Sequence, residues 1–177
     1  MSPERFIEVL RRLGCRVVVD VRRFPRSRVG FFSGESLRAA LGGLGVEYVW
    51  LGELGALGMG GRYRPAEPVT CTPSPTFRAY VAYLTAEPQA LAALLRIRGM
   101  AEGGLAPLLI CRERRPEHCH RQFIADALAA MGVEVVHVVG GELVRHAGSP
   151  CYGYIASRLA ARLPPGGPAA SQLREDP

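Results

Sequence analysis

The run Val17-Val18-Val19-Asp20-Val21 constrains the fold of this chain more than any other stretch. Its residues are β-branched apart from Asp20, and nothing polar alternates with them before that point. A strand with one wet face alternates polar and apolar residues, whereas a strand covered by helices on both faces does not. The run therefore predicts a buried strand of a parallel sheet. Parallel neighbours need crossover connections, usually helical and right-handed, and the rest of the chain supplies that alternation.

Strands are predicted at Arg16–Val21, Val46–Leu51, Ala106–Cys111 and Val133–Val139. Phe6, Ile7, Leu10 and Leu13 stand at helical spacing, with Ser2 available as a cap and Pro3 in the first turn. Further helices are expected from Glu35 to Leu41, from a Thr76 cap through Leu84, from Pro88 to Arg98, from Pro116 or Glu117 to Met131, and from Tyr152 to Leu163. The expectation is an α/β fold: one compact domain over residues 1–163, a mostly parallel sheet with helices on both faces, in the Rossmann-like three-layer manner. The Pro/Gly/Ala/Ser-rich end, 164–177, reads as a disordered tail.

At 177 residues, 48% of them hydrophobic, the chain can bury one good core but not two. No apolar run approaches the roughly 18–20 residues of a membrane span, and the first residues carry no targeting pattern. A cytoplasmic protein without a membrane partner is expected. The five cysteines, Cys15, Cys71, Cys111, Cys119 and Cys151, are odd in number and scattered, so reduced thiols are expected. The net charge of +6 suits a nucleic-acid partner, but it is carried by arginine alone, a bias that genome composition also produces. Its distribution says more: Arg22, Arg23, Arg26 and Arg28 follow one predicted strand, and Arg112, Arg114, Arg115 and Arg121 follow another.

Open parallel sheets bind ligands outside the carboxyl ends of their strands. That rule selects Asp20-Val21-Arg22-Arg23, Gly52-Glu53-Leu54-Gly55, Cys111-Arg112-Glu113 and Gly140-Gly141-Glu142. The segment from Cys111 to Arg121 is the densest, with two thiols, two imidazoles and several charges. Three chemistries compete for it. Cys119 in the first turn of a helix, beside His120 and Arg121, would be a low-pKa nucleophile. Cys111, Cys119 and His118 or His120 would ligate zinc, although seven residues between the cysteines are not a usual zinc spacing. Arg121 and the helix terminus would bind a phosphate or carboxylate, with Glu113 moving a proton or holding an arginine. Against all three stands plain packing of the thiols as small apolar groups.

Other signals are weaker. Asp20 suits an ion pair with Arg22 or Arg23, or direct action on a ligand, and Pro25 and Ser27 shape the arginine loop. Position 117 is Glu, so Cys111 lacks the arginine that a tyrosine-phosphatase loop needs, and no glycine-rich dinucleotide or Walker loop occurs. The stretch from Gly52 to Thr76 is long for a connection, and Gly55 to Arg64 within it suits a flexible lid or backbone contact with an anion. His137, Tyr48 and Trp50 read as core residues.

These residues resemble a known family, the prokaryotic domain of unknown function 488. The resemblance rests on Val19 through Ser27, on Tyr48 through Gly55, and on Cys111-Arg112-Glu113 followed by Pro116, Cys119-His120-Arg121 and Asp126. It covers positions 5 to 140 and implies a compact α/β domain, with no activity attached. Family members usually begin with a strand ending in a Thr-Ile-Gly-His-Ser-like turn ahead of the helix that starts here at Pro3. The chain as given lacks it, so a late start or a lost strand is expected.

The functional expectation is an anion site, for phosphate, nucleotide or nucleic acid, at the carboxyl ends of the strands. Cys119, Glu113 and Asp20 would do chemistry there. Arg22, Arg23, Arg26, Ser27, Glu53, Cys111, His120 and Arg121 would hold the ligand. No cofactor is required by this reading, and zinc is the alternative. The alternative functions are a non-catalytic nucleic-acid-binding module and a thiol- or metal-dependent redox protein.

Overall fold

The structure, a computed structural model, describes residues 2–113, 115 and 118–163. The expected tail at 164–177 and the proposed helix start at 116–117 lie outside the described residues. Helix α1 (Pro3–Arg12) begins as its sequence predicts, the Ser2 hydroxyl accepting the Arg5 N–H at 3.3 Å. Pro3 has no N–H to leave unsatisfied in the first turn. Strand β1 (Val17–Asp20) follows, then α2 (Gly34–Gly42) and β2 (Glu47–Trp50). The long glycine-rich connection contains a single 3-10 turn at Gly52–Leu54 and a one-turn helix, α3 (Met59–Arg62). Helices α4 (Pro75–Ala86) and α5 (Pro88–Glu102) lead to β3 (Leu108–Ile110). Ser74, not Thr76, caps α4, because Pro75 takes the first helical position.

The three strands form a parallel sheet in the order β2-β1-β3, with Val19 opposite both Val49 and Leu109. Val17, Val18 and Val19 are fully buried, as the unbroken β-branched run requires. The pleat divides them. Val17, Val19 and Val21 pack with Tyr80, Leu84, Leu94, Phe123 and Ile124 on one face, while Val18 packs with Phe6, Leu10, Leu37 and Leu41 on the other. Helices α1 and α2 thus cover one face, and α4, α5 and α6 (Arg121–Ala130) cover the other. Burying each large aliphatic side chain contributes roughly 1.5–3 kcal/mol, which is why a three-stranded sheet suffices as a core.

The expected fourth parallel strand is corrected by the structure. Only Val136–Val139 (β4) is extended, and it pairs antiparallel with Glu142–Arg145 (β5) in a separate sheet. The reason is local. Gly140 and Gly141 have φ of +62° and +99°, a conformation that turns a two-residue hairpin and that side-chain-bearing residues resist. A hairpin needs no crossover, so the β-branched run turns back on itself. Helix α7 (Tyr152–Ala160) closes the described chain.

Two further expectations change. Cys71 and Cys151 form a disulfide, with Cα atoms 5.0 Å apart, tying the segment ahead of α4 to the start of α7. Their wide spacing in sequence concealed a short distance in space. Trp50 is 47% exposed and not a core residue; its indole N–H donates to the Arg22 carbonyl at 2.8 Å. Among the described residues, no helix is long and apolar enough to cross a membrane.

Candidate functional site

The carboxyl ends of β1 and β3 lie side by side, and the Val21 N–H extends their pairing to the Ile110 carbonyl. The residues that follow each strand therefore meet. Cys111 follows β3, and Cys119-His120 stands at the same place as the entry to α6. His120 is the N-cap of α6, so Cys119 stands one residue ahead of it and not in its first turn, as the sequence suggested.

His120 is buried and bridges the two strands. Its Nε2 is 3.1 Å from the Val21 carbonyl. A carbonyl only accepts, so Nε2 carries the proton and the Nδ1 lone pair points the other way. There it faces both thiols, 3.7 Å from Cys111 Sγ and 3.9 Å from Cys119 Sγ. The edge of the Tyr80 ring lies against the imidazole, with ring centres 5.3 Å apart, and the Tyr80 hydroxyl donates to the Leu54 carbonyl at 2.7 Å. Each sulphur also accepts N–H bonds: Cys111 from the Glu113 backbone, and Cys119 from the Arg121 backbone at 3.5 Å and its side-chain Nε at 3.2 Å.

The two thiols act on one another through a hydrogen bond. A hydrogen bond from Cys119, helped by His120 and the Glu113 N–H, lowers the pKa of Cys111 against the opposing effect of burial. The same hydrogen bond and burial raise that of Cys119, which is 1% exposed. Placing a second negative sulphur beside the first in a dry site is unfavourable, so the thiolate belongs to the pair and is centred on the more accessible Cys111.

The remaining predicted residues separate into those that build this end of the sheet and those that face solvent. Asp20 is buried and fully engaged. Arg22 grips it through Nε at 2.8 Å and Nη2 at 2.5 Å, the Arg22 N–H donates at 3.1 Å, and the Tyr48 hydroxyl donates to Oδ2 at 2.7 Å. Burial opposes the Arg22 charge, yet the bonds and charge of Asp20 raise its pKa; burial and then Asp20 raise that of Tyr48. Arg22 also reaches the Arg26 carbonyl at 3.4 Å, shaping the loop in which the Arg26 side chain is exposed and Ser27 accepts the Val29 N–H. Arg121 is likewise committed, donating to the carbonyls of Leu109 at 3.3 Å and Glu113 at 2.5 Å. The Glu113 and Glu53 side chains are exposed, and both residues contribute carbonyls to the framework, Glu53 taking the Tyr83 hydroxyl at 2.9 Å.

Arg23 is different. Its backbone lies against Gly55, where a Cβ would stand 2.3 Å from the Arg23 nitrogen, so only glycine fits. Burial, followed by the neighbouring Arg23 charge, lowers the pKa of Arg62 at the end of α3. The two guanidiniums thus lie within range of mutual repulsion, and among the described residues neither pairs with a carboxylate.

Sequence reasoning missed two partners. Tyr48 was legible only as a core residue, although its register opposite Val18 sets it on the Asp20 side of the sheet. A second polar cluster escaped entirely: buried Asp126 accepts from His146 Nε2 at 2.9 Å, Ser149 N–H at 2.8 Å and Ser149 Oγ at 2.5 Å, and His146 Nδ1 meets His137 Nε2 at 2.9 Å. His137 is therefore a hairpin residue bonded to His146, and no local pattern joins residues so far apart in the chain.

Comparison with curated proteins and with solved structures returns no match. The motifs that converge on the sheet end, from Asp20 through Arg121, all fall inside the one region that a family model recognises. Residues 2–128 match the Domain of unknown function DUF488, and the chain belongs to that family.

Proposed function

We propose that this chain is an enzyme-like protein that binds a phosphate-bearing ligand at the carboxyl end of its sheet and presents it to the Cys111–Cys119–His120 cluster. The observation that carries this reading is the position of the cluster. In the order β2-β1-β3, β1 sends its crossover to β2 through α2 on one face, while β2 reaches β3 through α4 and α5 on the other. The crevice where such connections diverge is where Rossmann-like sheets seat ligands. Here the connections diverge between β1 and β3, and His120 with the two cysteines stands at the carboxyl ends of these strands, which supports the reading.

The charges support an anion. Arg23 and Arg62 offer guanidinium donors uncommitted to carboxylates, and their mutual repulsion is relieved when a phosphate lies between them. Asp20, Arg22, Tyr48 and Arg121 act as positioning residues, since their polar atoms are already spent on one another and on the backbone. Cys111, the more accessible thiol, meets the ligand; Cys119 and His120 form the dry floor beneath it.

Thermal unfolding with pyrophosphate, nucleotides, sugar phosphates and short oligonucleotides tests the reading. A ligand at 100 times its Kd stabilises by about 2.7 kcal/mol. The expected result is a shift with one phosphate-bearing class that Arg23→Ala and Arg62→Ala each diminish and that together they abolish. A shift unchanged in the double variant, or none with any member of the panel, rejects the site.

A further inference from the structure

We infer that Cys111 Sγ, Cys119 Sγ and His120 Nδ1 are the protein ligands of a zinc ion with one open coordination position. This rests on the reading of the same crevice as the ligand site and names the cofactor that would work there.

The geometry points to it. The three donor atoms lie within 4.8 Å of one another. A tetrahedral zinc with bonds of about 2.3 Å to sulphur and about 2.0 Å to nitrogen has sulphur-to-nitrogen edges of about 3.6 Å. The two such edges here are 3.7 and 3.9 Å, and the sulphur-to-sulphur edge, about 3.8 Å in the tetrahedral site, lies within 4.8 Å, so the ion draws the sulphurs in by at most about an ångström. Unfavourable spacing in the sequence is no obstacle, because the fold brings Cys111 and Cys119 to one point.

The surroundings match as well. Metal-bound histidines donate their other ring nitrogen to a carbonyl or carboxylate, which fixes the tautomer and aims the lone pair. His120 does this through the Val21 carbonyl. Ligating thiolates in turn accept N–H bonds, and Glu113 and Arg121 supply them. A set of two sulphurs and one imidazole is soft enough to select zinc over magnesium or calcium, whose ligands are oxygens. Three protein ligands leave a fourth position for water or a phosphate oxygen, the pattern of catalytic rather than structural zinc. That position faces the accessible side of Cys111, since Cys119 and His120 are buried at 1% and 7% exposure. On binding, both sulphurs bond zinc as thiolates and whatever thiol proton the pair holds passes to solvent, so uptake is accompanied by proton release.

The test is metal titration of the full-length, tag-free, chelator-treated protein with zinc, and with cobalt as a spectroscopic substitute. The expected result is one zinc per chain, a thiolate-to-cobalt charge-transfer band, and intense visible bands of tetrahedral cobalt. Cys111→Ser and His120→Gln should each lower zinc affinity at least about 100-fold, because loss of a direct ligand exceeds the 10–100-fold loss typical of an outer partner. Cys15→Ser, whose thiol is buried elsewhere, should bind as the parent does. Failure of the parent protein to bind zinc at micromolar concentration overturns the inference without any variant. So does binding that Cys111→Ser leaves unchanged. An anion shift that depends on Arg23 and Arg62 in a protein that does not bind zinc overturns the metal while sparing the anion site; zinc binding without an anion-dependent shift does the reverse.

Discussion

The Tyr48 hydroxyl lies 2.7 Å from Asp20 Oδ2, on the side of the carboxylate that Arg22 Nη2 also holds. A carboxylate with no exposure is thereby neutralised by one guanidinium and satisfied by one phenol, and β1 and β2 are joined by a side chain as well as by their ladder. Removing one member of a buried ion pair costs about 3–5 kcal/mol, since the other charge is stranded, whereas losing a neutral donor to a charge costs about 1–3 kcal/mol. Asp20→Asn should therefore destabilise more than Tyr48→Phe, with urea midpoints in the order parent, Tyr48→Phe, Asp20→Asn. Equal midpoints for all three proteins would show that the triad is not holding the sheet end together.

The Cys71–Cys151 bridge closes a loop of 80 residues across α4, α5 and α6. Crosslinks of this kind stabilise by about 2–4 kcal/mol, chiefly by limiting the unfolded chain. Cys71→Ser should lower the unfolding free energy by that amount, and reductant should lower the parent to the same value. Thiol counting on denatured, metal-free protein should find three thiols, from Cys15, Cys111 and Cys119. Five would mean that the bridge does not form.

Gly55 lets the turn after β2 approach the Arg23 backbone. A methyl group there would lie 2.3 Å from the Arg23 nitrogen and 2.5 Å from its Cα, with no flexible side chain to give way. Overpacking of this sort costs about 1–3 kcal/mol. Gly55→Ala should lower the Tm and, by displacing Arg23, weaken the anion-dependent thermal shift by at least as much as Arg23→Ala does. Gly61→Ala, where a Cβ meets open space, should do neither. A Gly55→Ala protein that keeps its parent's anion response separates the turn from the site.

The patterns that the sequence by itself determined are those written within a few residues. The unbroken valines of β1 required burial on both faces, and Ser2-Pro3 started a helix. These features follow from backbone periodicity and capping, which act over one or two turns of chain. Gly140-Gly141 was read as the loop after a fourth parallel strand, which the β-branched run before it fits, and only pairing shows that the two glycines turn a hairpin. The tertiary structure decided which partners meet: Tyr48 with Asp20, Cys71 with Cys151, Asp126 with His146, and Cys111 with Cys119 and His120. Those encounters join residues brought together by the crossover of helices over the sheet, and distance in space is a property of the packed core that no local spacing encodes.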